Sequence, residues 1–318
     1  MRRQPILVAL LAVVLVAACK PAATGATSAP SSAAGVSGAT GSPGVSAAAA
    51  TVVPVIISSQ QIVGANRFVF SFLDAATNLP AASPDRTASV AFMAPGESSP
   101  GATVPSTFVW AIVGSRGEYI AQPTFPAAGD WKAVFITQAK GKPQEAIGVA
   151  FQVLAKGTVI GVGDQAPASK TPTLADTGGD VRQISSDPKP DPSFYQVSVD
   201  TALARKTPFI LIFATPAFCQ SAQCGPTLDR VKAIKATSPA SVAFINVEPY
   251  VLKYADGRLQ PVPDANNQLQ PVAATNQWGL LTEPWIFAVD RNGIVQGSFE
   301  GVATDDELKA AIAQIAGS

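Results

Sequence analysis

Histidine is absent from all 318 residues of this chain. With it go the usual general base of hydrolytic sites, the commonest transition-metal ligand and every Ser-His or Cys-His nucleophile arrangement. Charge is scarce too: 22 basic residues balance 22 acidic ones to a formal net charge of +0, and charged residues make up only 14% of the chain. No field of one sign is available to attract nucleic acid or an acidic substrate, so no nucleic-acid partner is expected. Methionine beyond Met1 is limited to Met93. Soft-metal ligation is therefore short of donors, and neither a metal nor a cofactor is expected. Cysteine occurs three times, at Cys19, Cys219 and Cys224.

The longest apolar run, Ile6 to Ala18, is too short for a permanent transmembrane helix and follows Arg2 and Arg3, as in a secretory leader. Its end, Val16-Ala17-Ala18-Cys19, resembles a bacterial lipoprotein signal over residues 1–19. That resemblance implies cleavage before Cys19, a lipid on its sulfur, and an extracytoplasmic protein anchored to the cell membrane. One acyl chain binds only marginally, so stable tethering needs the second chain that lipoproteins carry. Residues 20–50 are almost entirely Ala, Ser, Gly, Thr and Pro, and no Asp, Glu, Lys or Arg occurs from Pro21 to Asn66. Such a segment cannot bury enough apolar surface to order itself and is expected to be a flexible stalk.

From residue 51 to 156 short apolar runs alternate with turn residues: Val52 to Ile57, Arg67 to Leu73, Ala88 to Met93, Thr107 to Val113, Glu118 to Ala121, Trp131 to Thr137 and Ala146 to Leu154. Several alternate with period two, as Phe68, Phe70 and Phe72 do against Val69, Ser71 and Leu73. Seven such runs predict an antiparallel β-sandwich. The turn Phe125-Pro-Ala-Ala-Gly-Asp-Trp131 resembles the entry to a late strand of an immunoglobulin-like domain, with Trp131 anchoring its core; Trp110 and Trp131 are expected to pack inside the sandwich rather than to form a ligand platform. Residues 157–193 are punctuated by Pro167, Pro172, Pro188, Pro190 and Pro192 and read as a linker. Over 194–318 the pattern becomes strand and helix: strands at Pro208 to Ala214, Ser241 to Val247, Trp285 to Val289 and Ile294 to Phe299, and helices at Pro226 to Ala236 and from the capping box Thr304-Asp-Asp-Glu307 to Ile315. Continuous apolar strands predict a sheet covered on both faces, hence an α/β domain. The expected fold is two-domain, an Ig-like sandwich followed by an α/β domain.

Cys219 and Cys224 sit between an apolar strand and a predicted helix, in Phe213-Ala-Thr-Pro-Ala-Phe-Cys-Gln-Ser-Ala-Gln-Cys-Gly-Pro226. A cysteine at a helix N-terminus has its thiolate favoured by unpaired N–H groups and the helix dipole, and the thiolate is the nucleophile of disulfide exchange. This strand, aromatic turn and cysteine, together with Trp278-Gly-Leu-Leu-Thr-Glu-Pro284-Trp-Ile-Phe-Ala-Val-Asp290-Arg-Asn-Gly293, resemble the thioredoxin-like superfamily in its exported TlpA-like and Sco-like branches. The resemblance implies a thiol:disulfide oxidoreductase acting on protein thiols and disulfides. Within it Cys219 attacks, Cys224 resolves, Pro284 is a cis-proline beside the pair, and Glu283 and Phe218 border the substrate.

The spacing departs from the family. Residues i and i+5 of a regular helix point about 140° apart, so a C-x4-C pair meets only if Gln220 to Gln223 form a loop. No acid lies in the Phe209 to Ala214 strand, where thioredoxins carry a buried aspartate. The copper role of Sco-like proteins lacks its histidine. A second class of function stays open, a non-catalytic binding or assembly lipoprotein whose cysteine pair is a permanent disulfide, worth roughly 2 kcal/mol for so short a loop.

Overall fold

The computed structural model describes residues 50–317. The expected leader, the lipid-bearing Cys19 and the stalk up to residue 49 lie outside the described residues. The chain from there on runs β1 Val52–Ile56, β2 Gly64–Ala65, β3 Phe68–Asp74, β4 Arg86–Met93, β5 Thr103–Ile112, β6 Arg116–Ala121, β7 Thr124–Phe125, β8 Gly129–Ala139 and β9 Glu145–Val153. It continues through α1 Val199–Ala204, β10 Phe209–Phe213, α2 Cys224–Lys235, β11 Ala243–Val247, β12 Leu252–Ala255, β13 Arg258–Pro261, α3 Ala273–Gln277, β14 Trp285–Val289, β15 Val295–Glu300 and α4 Asp305–Gly317.

Seven strands form one sheet in the order β1-β3-β6-β5-β4-β8-β9. The sheet curls until its edges meet, with the Thr51 N–H and hydroxyl both donating to the Glu145 carboxylate at 2.6 Å. Period-two patterning produces this curl. Phe68, Phe70 and Phe72 point inward with Tyr119, Phe125, Trp131 and Phe135, all buried. Each such ring contributes about 1.5–3 kcal/mol by leaving water. The outward residues Val69, Val109 and Ile120 are buried as well, because Val302 from the far end of the chain covers them.

The second sheet has the order β11-β10-β14-β15, with β10 parallel to β11 and antiparallel to β14. On one face Ile210, Ile212, Ile286 and Ala288 pack against Leu228, Val231 and Ile234 of α2 and Leu308, Ile312 and Ile315 of α4. Thr304 and Glu307 cap α4 reciprocally, at 2.8 and 3.1 Å. On the other face Phe209, Leu211, Phe213, Phe287 and Val289 meet Val159, Ala166, Val199 and Trp278. That cover comes from irregular chain and from α1 and α3, six and five residues long. Gly279 (φ +68) lets this cover close: a Cβ there would stand 1.9 Å from the Thr158 carbonyl oxygen.

The expected fold class, an Ig-like sandwich followed by a separate α/β thioredoxin-like domain, is therefore corrected. Strands and bridges hold 37% of the described residues and helices 18%, the seven-stranded sheet is nearly closed, and the described residues form one compact unit. Continuous apolar strands had suggested a sheet covered on both faces, and it is, but loops and very short helices cover one of them. The 157–193 segment, read as a linker, contributes Val159, Ala166, Ser169, Thr171 and Ser185 to the buried interior. Contacts remote in sequence join the two sheets. Arg67 donates to Glu307 at 2.7 Å and to the carbonyls of Glu300 and Val302 at 3.1 and 2.6 Å, and Arg230 donates to the carbonyls of Ala303 and Trp110 at 2.6 and 3.0 Å.

Candidate dithiol site

β10 runs through buried Ala214 and Thr215 into a loop that ends where α2 begins at Cys224. Pro226 occupies the first turn of α2, where its missing N–H leaves no bond unmade. Ala222 adopts a left-handed conformation (φ +59) that is uncommon for a residue with a Cβ. The loop thereby folds back and brings Cys219 over the start of the helix, which reconciles a five-residue spacing with contact between the two thiols.

Both cysteines are free, Cys219 half-buried and Cys224 buried. The Cys219 sulfur accepts the Cys224 backbone N–H at 3.3 Å and lies 3.3 Å from the Ser221 hydroxyl. The thiol of Cys224 directed at it, then the Ser221 hydroxyl and the backbone N–H groups of Cys224 and Gln223, bring the Cys219 pKa down to about 5 against the opposing effect of burial. Cys224 is pushed far above the usual thiol range by donating to Cys219 and by burial.

The Glu283–Pro284 peptide bond is cis, and Pro284 is buried. A carboxylate oxygen of Glu283 and the two sulfurs all lie within 4.8 Å of one another. Glu283 accepts the Tyr250 hydroxyl at 2.5 Å and the Gln220 N–H at 3.4 Å, and the Ser221 hydroxyl approaches its carbonyl at 3.5 Å. Burial raises the carboxyl above its ordinary pKa. Each carboxylate oxygen thus accepts one hydrogen bond, and the Cys224 thiol donates to Cys219. Phe218 borders a cavity of about 890 Å³ lined also by Ala217, Pro188, Arg258 and Leu259.

Sequence reasoning had proposed Cys219, Cys224, Pro284, Glu283 and Phe218, and the fold brings all five to the end of β10 and the start of β14. It had missed the residues that hold them. Arg116 at the start of β6 donates to the Ser221 carbonyl. Two positions on, the fully buried Glu118 accepts from Gln223, the residue before Cys224, at 2.6 Å. Burial raises the Glu118 pKa to about 7, against the Gln223 hydrogen bond and the charges of Arg67 and Arg116. Behind the pair, Glu248 faces Thr215, accepts the Ser186 N–H at 2.6 Å, and is likewise raised to about 7 by burial. An acid inside an apolar strand pattern, as Glu118 is, was the available signal; its partner 105 residues away was not visible.

No protein-family profile matches the chain, and no curated protein does. Among solved structures, a DUF4426 family protein from Pseudomonas aeruginosa PAO1 is similar over 33% of this chain and 90% of its own, with 15% identity and a TM-score of 0.23. The filamin domain of Lin-41 is similar over 34% of this chain and 97% of its own, with 16% identity and a TM-score of 0.22. Neither likeness assigns a fold or a function.

Proposed function

We propose that the protein is a membrane-tethered extracytoplasmic thiol:disulfide oxidoreductase. The observation that carries this reading is two free thiols in contact where a strand end meets a helix start beside a cis-proline: Cys219 half-buried and accepting the Cys224 N–H, Cys224 buried behind it. A nucleophile that is a thiolate at neutral pH and a resolving thiol behind it are the two parts that disulfide exchange requires. Cys219 attacks a disulfide of a partner protein, Cys224 closes on Cys219, and Pro284, the Glu283 backbone and Phe218 border the incoming segment. A permanent staple needs no such asymmetry.

Cys224→Ser should accumulate mixed disulfides with partner proteins in the exported fraction, resolved on non-reducing gels, whereas Cys219→Ser should not. Absence of adducts from both variants contradicts the reading and leaves the binding lipoprotein with a structural disulfide. The tether rests on the leader alone. Cys19→Ser should release the protein from membranes or block its maturation, and a mature wild-type N-terminus found without lipid by mass spectrometry removes the anchor from the proposal.

A further inference from the structure

An exchange site with one acidic thiol still has to ionise the other. Cys219 needs no base at neutral pH, but Cys224 must lose its proton before it can close the disulfide. No acid occupies β10 itself. Two carboxylates stand near the pair. Glu248 lies on the far side of Thr215, with one oxygen held by the Ser186 N–H. Glu283 has an oxygen within 4.8 Å of both sulfurs.

We propose that Glu283 is a catalytic base and acid of the exchange, taking the Cys224 proton as that thiol attacks and returning it to the departing thiolate. This rests on the oxidoreductase reading and gives the Glu283 side chain a role separate from that of its backbone. In the resolving step Cys219 is joined to the substrate sulfur. The Cys224 proton passes to the Glu283 carboxylate, the Cys224 thiolate forms the bond to the Cys219 sulfur, and the bond between Cys219 and the substrate sulfur breaks. The electron pair leaves on the substrate sulfur, which collects the proton from Glu283. Across the cycle the cysteine pair loses two electrons and the substrate disulfide becomes two thiols.

Three features suit Glu283 to this task. Its carboxylate is held in place by the Tyr250 hydroxyl and the Gln220 N–H, and Gln220 is next to Cys219 in the chain. The titratable groups that face it are Cys219, Cys224 and Tyr250, and among the described residues it belongs to no ion pair with a lysine or arginine that would hold it ionised. Burial and the Cys219 thiolate raise its pKa, toward the range in which a carboxyl exchanges protons efficiently near neutrality. Once Cys219 enters a mixed disulfide its charge is gone, and the carboxylate is then free to act on Cys224.

The test is a stopped-flow reaction of the reduced protein with a chromogenic aryl disulfide. One coloured thiolate is released as Cys219 forms the mixed disulfide and a second as Cys224 closes the pair. Glu283→Gln keeps the size and hydrogen-bonding reach of the side chain. It should slow the second release by about 100-fold near neutral pH, the scale of a lost general base, without slowing the first. The wild-type second phase should level off above the Glu283 pKa and fall as pH drops through it, while in Glu283→Gln it should climb with pH throughout. Glu283→Asp, which keeps a carboxylate, should retain a levelled profile. An unchanged second phase in Glu283→Gln overturns the role of Glu283 and leaves the oxidoreductase reading standing. A wild-type protein that releases only the first thiolate overturns both.

Discussion

Cys219 and Cys224 differ in environment by a single turn of chain, yet one sulfur receives hydrogen bonds and the other gives one. The same contact therefore acts twice, lowering Cys219 and raising Cys224. This favours the thiolate at the more open sulfur and keeps the buried thiol protonated. Alkylation of Cys219 by iodoacetamide, followed from pH 4 to 9 in the Cys224→Ser variant and in wild type, tests the arrangement. In wild type the rate should rise with a midpoint near pH 5. Ser221→Ala removes one donor to the sulfur and should move that midpoint upward by about one pK unit or more, since a hydrogen bond to a charged group is worth roughly 1.5 kcal/mol or more. A wild-type midpoint near pH 9 contradicts the geometry. At this scale much of the site was legible in the sequence: the cysteines, Glu283 and Pro284 flank apolar strands, and strand ends converge in a small sheet. The left-handed turn at Ala222 was not, because nothing about an alanine announces a positive φ.

At the level of elements, β6 holds the dithiol loop. Arg116 grips Ser221 and Glu118 grips Gln223, so the nearly closed sheet positions the start of α2. Glu118 brings a pH dependence with it. Unfolded, its carboxyl ionises near 4.5; folded, it keeps its proton to about 7. Between these values the native state binds more protons, so stability is full below about pH 4.5 and is lost as pH rises through 7. At about 1.4 kcal/mol per pK unit the loss is ~3.5 kcal/mol at most. Glu248, also near 7, contributes a similar slope. The unfolding free energy of wild type, by denaturant titration, should fall between pH 5 and pH 7.5, and Glu118→Gln should remove about half of that fall. A flat profile in wild type means that these carboxyls are not buried as described. The strand runs from Val52 to Leu154 could be read from period-two alternation. Their closure into one curled sheet could not, because Val69, Val109 and Ile120 look like ordinary outward residues until Val302 covers them.

For the whole molecule, the expectation of two separate domains failed for a physical reason. Proline-rich sequence at 157–193 resembles a linker, but its apolar residues fill the second face of the small sheet. Arg67, 240 residues from Glu307, ties the two sheets through a polar contact that carries no periodic signal. The unit as a whole thus fixes the dithiol loop from three sides: β6, the segment from Glu248 to Tyr250, and the Glu283–Pro284 turn. A frame that stabilises the reduced pair as thiolate and thiol makes its disulfide more oxidising, because the reduction potential reports the difference in stability between the two forms. The reduction potential of the Cys219/Cys224 pair in the intact protein, from equilibration with glutathione buffers, therefore tests the central claim most directly. The account predicts a value less negative than about −300 mV, in the range of exchange-active pairs. A value below about −300 mV, with the pair inert to glutathione, identifies a structural disulfide and contradicts the assignment as an oxidoreductase.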